Sequence, residues 1–243
     1  MNSRPKYQAR MTQFVDIISV SDLKLSSAQK VSKTKNVAFS MAAGPGFSCL
    51  GATEACFSCY AQKGQFAAGT NPYILNAGNF NLMKKLSDSG QVDKMAEMLN
   101  ALLVGKIKNL FRIHTSGDFF SQNYVDAWGK VIKANPNIRF WAYTRSFMFN
   151  FKELTKNKNF LLFASVDKYN RVKAGQFVRK HDYKIKRAYG PFDPKDKKPV
   201  NSFVCPATND RLDHLGACEK CQLCLPNNKE HPRTHKNVVF YKH

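Results

Sequence analysis

Between residues 92 and 166 the apolar positions fall into a repeating rhythm. Val92, Met95, Ala96, Leu99, Leu102 and Leu103 recur at helical spacing, and a helical pattern extends over 71–104. A short apolar run at 110–114 (LFRIH) is strand-like in composition. Ser121 then has the side chain of an N-cap, and Tyr124, Val125, Trp128, Val131 and Ile132 share one face of the helix it opens. Asn135-Pro136-Asn137 ends that helix. Residues 138–143 (IRFWAY) form the next strand, 149–156 a short helix, and 160–166 (FLLFASV) a third strand. Earlier, 36–42 (NVAFSMA) predicts a short buried strand broken by Gly44-Pro45-Gly46; 237–241 (NVVFY) predicts the last strand. The strand centres near 112, 140 and 163 are one βαβ unit apart, which predicts a parallel α/β architecture. A chain of 243 residues with two tails is short for eight such units. The expected fold is therefore a partial (β/α) barrel of about six mostly parallel strands, with a cysteine-rich C-terminal extension.

The expected organisation is a basic N-terminal arm at 1–35 with one strand near 14–20, a barrel at 36–200, and an extension at 201–243. Residues 168–203 read as irregular and basic, with 168–200 as an insertion into the barrel or a solvated linker. In parallel α/β folds the ligand site lies at the carboxyl ends of the strands. Here those ends are polar: Thr115-Ser116-Gly117-Asp118, then Thr144-Arg145-Ser146, then Ser165 and Asp167. One shared pocket is the functional expectation. The plainer alternative is that βα loops are polar anyway; for Ser121, capping is explanation enough.

Charge narrows the class of partner. The chain carries 38 Lys+Arg against 17 Asp+Glu, a formal net charge of +21. A field of that size attracts polyanions, and DNA or RNA is the expected partner. Lys184, Lys186 and Arg187 are candidate phosphate contacts. A lysine-rich surface that merely aids solubility is the bland alternative, and no zinc-finger, helix-turn-helix or RNA-recognition pattern accompanies the charge. No apolar run approaches the ~18 residues that cross a bilayer, and no apolar segment follows the basic start. A soluble cytoplasmic protein is expected, with no membrane partner; nothing in the sequence sets its oligomeric state.

Seven cysteines fall into two groups at opposite ends of the chain. Cys49, Cys56 and Cys59 form Cys-x6-Cys-x2-Cys; Cys205, Cys218, Cys221 and Cys224 form Cys-x12-Cys-x2-Cys-x2-Cys, with Pro206 after the first. An odd number in tight clusters fits a disulfide framework poorly and fits thiolate–metal chemistry well. The quartet has three ligands at one regular short spacing and a distant Cys-Pro, the elements of a 4Fe–4S site in an order different from that of ferredoxins. Structural zinc is the alternative there. The trio has no fourth cysteine. His114, at a strand end, could complete a zinc site, although a lone histidine there is more often a pocket or core residue. Without a fourth protein ligand, a 4Fe–4S cluster keeps one iron open to a small chelating molecule.

That open iron is the hallmark of radical-SAM enzymes, which bind the amino and carboxylate groups of S-adenosylmethionine on it. Ser116-Gly117-Asp118-Phe119 resembles the Gly-Gly-Glu-Pro element that holds the methionine amine in their barrels. The resemblance implies that Ser116, Gly117 and Asp118 meet the amine, Arg145 the carboxylate, and Ser165 or Asp167 the ribose hydroxyls. The pattern departs from the usual Cys-x3-Cys-x2-Cys in its first gap, and the aromatic expected just before the last cysteine is Ser58, with Phe57 one place earlier.

Five elements in order, SMAAGPGFSCLGATEACFSCYAQKGQF, RIHTSGDFFSQNYVDAW, RFWAYTRS, the four-cysteine tail and NVVFYKH, resemble a family of phage proteins named for gene product eighty-eight. The resemblance implies a phage origin, hence host cytoplasm, and a radical-SAM-like barrel. It transfers no activity and names no substrate. Two functions are thus expected in competition. One is an iron–sulfur enzyme with two 4Fe–4S clusters and S-adenosylmethionine, served by an external electron donor and acting on nucleic acid or a nucleotide. The other is a metal-stabilised protein, with iron–sulfur or zinc, that binds nucleic acid or a host factor without catalysis.

Overall fold

The computed structural model describes residues 19–26, 28–33, 37–45, 48–67, 69–182, 184–226 and 236–241. Most of the expected arm at 1–35, and nearly all of the strand expected near 14–20, lies outside the described residues.

One parallel sheet organises the molecule. Its strands are β1 (Ala38–Phe39), β2 (Leu110–Ile113), β3 (Arg139–Thr144), β4 (Phe160–Val166), β5 (Lys186–Phe192), β6 (Ser202–Val204) and β7 (Asn237–Tyr241). They lie in the order β1-β2-β3-β4-β5-β7-β6, and every pairing is parallel. The fold is α/β, as expected, with seven strands rather than about six. β1 and β6 are the edges of this order.

Helices α1 (Asn71–Asp88) and α2 (Val92–Leu103) link β1 to β2. The single helical stretch expected over 71–104 is divided at Ser89-Gly90, where Gly90 takes φ 68°, a left-handed conformation that glycine adopts without steric cost. α3 (Gln122–Ala134) follows β2, α4 (Lys152–Thr155) follows β3, and α5 (Arg171–Lys180) follows β4. Ser121 caps α3 as expected, accepting a hydrogen bond from the Tyr124 amide at 3.1 Å. Strands added one beside the next by right-handed crossovers put these helices on one face of the sheet. Trp128 of α3 marks that face, packed edge-on to Phe39 and tilted against Phe111 with centroids 6.1 and 6.0 Å away. Burial of each such ring stabilises the fold by roughly 1.5–3 kcal/mol.

Register assigns the other face. Arg112 pairs with Trp141, and Tyr143 with Phe163, one position out of phase with Phe111 and Phe140. These side chains, joined by Phe240 of β7, point away from α3 (Tyr143–Phe163 5.2 Å, Tyr143–Phe240 5.6 Å).

The sequence expectation fails at 168–203, which holds α5 and β5 rather than irregular chain. α5 buries only Ala174, Phe177 and Val178, and β5 (KRAYGPF) buries only Ala188. Ladder pairing with β4 and β7 holds β5 where its own apolar content does not. β6 is likewise outside the sequence expectation, and of the strand expected over 36–42 the described residues 37–42 hold only Ala38–Phe39 as strand.

Winding direction places the tail. From β1 to β5 the chain advances across the sheet, but β6 lies beyond β7, so the β6-to-β7 connection runs backwards. A right-handed crossover run in reverse lies on the face opposite the helices. That connection contains the short helix α6 (Ala217–Cys221) and every cysteine of the quartet. Among the described residues no helix is long and apolar enough to cross a membrane.

Candidate metal centres

The trio sits in a loop over the carboxyl ends of β1 to β4. Single turns of 3-10 helix at Glu54–Ser58 and Tyr60–Gln62 carry it, tied by Cys49 N–H to the Gly44 carbonyl (2.8 Å) and Cys59 N–H to the Cys56 carbonyl (3.1 Å). The loop lies directly on the tip of β3. At Gly51 a Cβ would collide with the Arg145 carbonyl and stand 3.0 Å from the Ser146 nitrogen, so the approach requires glycine.

Arg145 and Asp167 reach this loop directly, and Asp118 and the Ser165 carbonyl hold Arg145 in place. Arg145 Nε donates to Cys56 Sγ at 3.4 Å. Its Nη2 stands 3.3 Å from Asp167 Oδ2 and its Nη1 3.5 Å from the Ser165 carbonyl. Asp167 Oδ2 also accepts from Thr53 Oγ1 of the loop at 2.7 Å. Asp118 accepts three hydrogen bonds, from Thr144 Oγ1, the Arg145 amide and the Phe119 amide, each at 2.7 Å. Ser116 Oγ donates to the Met41 carbonyl at 2.9 Å. Gly117, at φ 83°, leaves a Cβ only 3.0 Å from Met41 and 3.2 Å from Ser48 Oγ, beside Cys49. Asp118 thus locks the tips of β2 and β3 together, and Arg145 spans from β3 to β4 and the cysteine loop.

His114 does not join the trio. Its ring donates or accepts at Tyr124 Oη (2.9 Å) and packs against Phe119 (4.8 Å), inside the core behind β2. Burial, then the nearby Arg112 charge, lowers its pKa from 6.5 to about 3.

The quartet spans the inner face. Cys205 follows β6, its N–H donating to the Val239 carbonyl at 2.9 Å. Cys218 and Cys221 lie on α6, flanked by left-handed Gly216 and Gln222. The segment is pinned from below by Cys218 N–H to the Lys30 carbonyl (3.0 Å) and Gly216 N–H to the Gln29 carbonyl (2.7 Å), and by Arg139 Nη1 to Gln222 Oε1 (2.9 Å). Cys224 is hydrogen-bonded by Tyr143, and Cys205, Cys218 and Cys221 all act on its charge. The tail is therefore not a remote appendage; it lies against Arg112 and Tyr143 of the central strands.

All seven cysteines are half-buried and none forms a disulfide. Burial, reinforced by Asp118, pushes the Cys49 thiol up to about 12. Burial pushes Cys218 up to about 11, against the opposing pull of Arg112 and Lys30, and raises Cys59 and Cys224 as well. Raised in this way, these four groups are thiols rather than thiolates at neutral pH. Among the described residues no three His, Cys, Asp or Glu side chains close around one ion. One zinc requires ligands at about 2.0–2.3 Å from a single centre. Thiolates of a multi-iron cluster each hold a different iron and stand further apart. Soft sulfur donors alone suit either metal.

Comparison with known proteins fixes the family. The family model of gene product 88 matches residues 17–227. The chain belongs to the gene product 88 family. A gene 88 protein of Mycobacterium phage L5 is 30% identical over 235 residues, covering 90% of this chain and 95% of the relative. A gene 88 protein of Mycobacterium phage D29 is 30% identical over 225 residues, covering 86% and 93%. No solved structure matches. The family match takes in all seven cysteines and the tips of β1 to β6, and stops short of β7.

Sequence reasoning missed Thr53, Tyr60, Arg112 and Tyr143. Tyr60 hydrogen-bonds the Thr115 carbonyl, and Arg112 Nε donates to the His114 carbonyl at 3.1 Å, so both brace the tip of β2. A charge in the middle of an apolar strand was the available signal for Arg112. Lys184 is exposed, and Lys186 and Arg187 are half-buried on β5, away from the trio loop's contacts.

Proposed function

We propose that this gene product 88 protein is an iron–sulfur enzyme of the radical-SAM kind. One observation carries the proposal: three cysteines, with no fourth cysteine beside them among the described residues, lie in a loop onto which the tips of β2, β3 and β4 converge, with Arg145 directed at Cys56. Cys49, Cys56 and Cys59 would hold the catalytic cluster, and the quartet a second one. The trio cluster, when bound, supplies an open iron for S-adenosylmethionine and an electron for its cleavage.

The chain's own residues do the positioning. Asp118 fixes the backbone of Arg145, and Asp167 fixes its guanidinium, so a fixed cation stands beside the cysteine loop. Arg145 would take the methionine carboxylate, Ser116, Gly117 and Asp118 the amine, and Ser165 or Asp167 the ribose hydroxyls. Asp118 already accepts three hydrogen bonds, which leaves it one acceptor position. The net charge of +21 supports nucleic acid or a nucleotide as substrate, and the first electron comes from an external one-electron donor.

A specific observation favours the competing function, a metal-stabilised binding protein without catalysis: the Arg145 guanidinium is already paired with Asp167, and Asp118 with the Arg145 amide. The deciding experiment is anaerobic reduction by dithionite in the presence of S-adenosylmethionine. Release of 5′-deoxyadenosine, abolished by Cys56→Ala, supports the enzyme. Intact clusters that never cleave S-adenosylmethionine support the binding protein.

A further inference from the structure

Resting on the iron–sulfur proposal above, we infer that Arg112 joins the two cysteine groups into one redox unit, as the counter-charge of the quartet cluster and, through Tyr60, a contact to the trio loop.

Arg112 is a half-buried cation on the inner face of β2. Among the described residues it forms no ion pair with Asp or Glu. Its guanidinium lies 5.1 Å above the Tyr143 ring, and its Nε is held by the His114 carbonyl at 3.1 Å. On one side it hydrogen-bonds Tyr60, the residue after Cys59, whose own hydroxyl reaches the Thr115 carbonyl. On the other side it faces the quartet across Tyr143, whose hydroxyl hydrogen-bonds Cys224, and after Tyr60 and Tyr143 the groups that act on its charge are Cys218 and Cys224. Lys30 also acts on Cys218, and its carbonyl accepts the Cys218 N–H.

A cation held partly out of water and without a carboxylate is stabilised by any other negative charge that faces it. Thiols do not provide that charge; thiolates on a cluster do. A four-thiolate cluster is negative and gains one further negative charge on reduction. A fixed cation beside it stabilises the reduced form more than the oxidised form, and so raises the potential. Reverse winding from β6 to β7 is what brings the quartet to this cation rather than leaving it in a distant tail. Arg112 is a positioning residue and touches no reacting atom in this arrangement.

The test is an EPR-monitored redox titration of the anaerobic, iron-loaded full chain as wild type, Arg112→Gln and Arg112→Lys. The expected result is a quartet potential shifted negative in Arg112→Gln and largely restored in Arg112→Lys. The doubly reduced wild type should also show spin–spin broadening that Cys56→Ala removes. Should Arg112→Gln fail to fold, that wild-type spectrum decides: a plain sum of two isolated centres overturns the inference. An unmoved potential in a loaded Arg112→Gln, or a quartet holding zinc, overturns it and leaves the trio proposal standing. A wild type devoid of iron overturns both.

Discussion

Arg145 Nε lies 3.4 Å from Cys56 Sγ, and with its Asp167 pair this side chain ties the tips of β3 and β4 to the cysteine loop. Its partner Asp167 is 4% exposed and Arg145 18%, so the ion pair sits largely out of water. Arg145→Met strands the Asp167 charge, a loss of about 3 kcal/mol once its remaining donors Thr53, Tyr169 and Asn170 are allowed for. Urea denaturation should report that loss, and Arg145→Met with Asp167→Asn should recover part of it. Equal stabilities for single and double variants would contradict the pairing.

Gly51 makes a sharper test of loop placement. Gly51→Ala puts a methyl group into the Arg145 backbone, where neither side can yield cheaply. The expected variant keeps its helix and strand content by circular dichroism, because the sheet core is untouched. It should lose iron from the trio while the quartet stays loaded. Full iron content would mean that the loop does not sit on β3.

Stability should fall on mild acidification. His114 is held at about 3 against its ordinary 6.5. Between these values the unfolded chain binds a proton that the fold refuses. This single group therefore removes about 1.4 kcal/mol per pH unit as pH drops below 6.5. His181, also lowered by burial, acts in the same direction. Asp118 opposes them: burial pushes its carboxyl up to about 6 from 3.8, so the fold takes its proton first in that window. Melting temperatures at pH 7 and pH 5 should drop less in His114→Gln than in wild type. Identical drops would show that His114 is not buried neutral.

Much of the fold was legible because β2, β3 and β4 are apolar runs separated by a capped amphipathic helix and a short loop. Convergence of their polar ends followed from parallel winding alone. β5 and α5 were illegible for a physical reason: Lys186, Arg187 and the charged surface of α5 look like solvated chain, and pairing with neighbours decides their structure. The position of the quartet was illegible for another. It depends on β6 lying outside β7, a fact of strand order that no local pattern encodes. Arg112, a lone charge within LFRIH, was visible in the sequence, but its meaning required knowing what covers the inner face.

The most direct measurement is iron, sulfide and zinc per chain after anaerobic purification. Two complete clusters give about eight irons with matching sulfide and little zinc, falling to about four irons in Cys56→Ala. Zinc without iron would contradict the central claim.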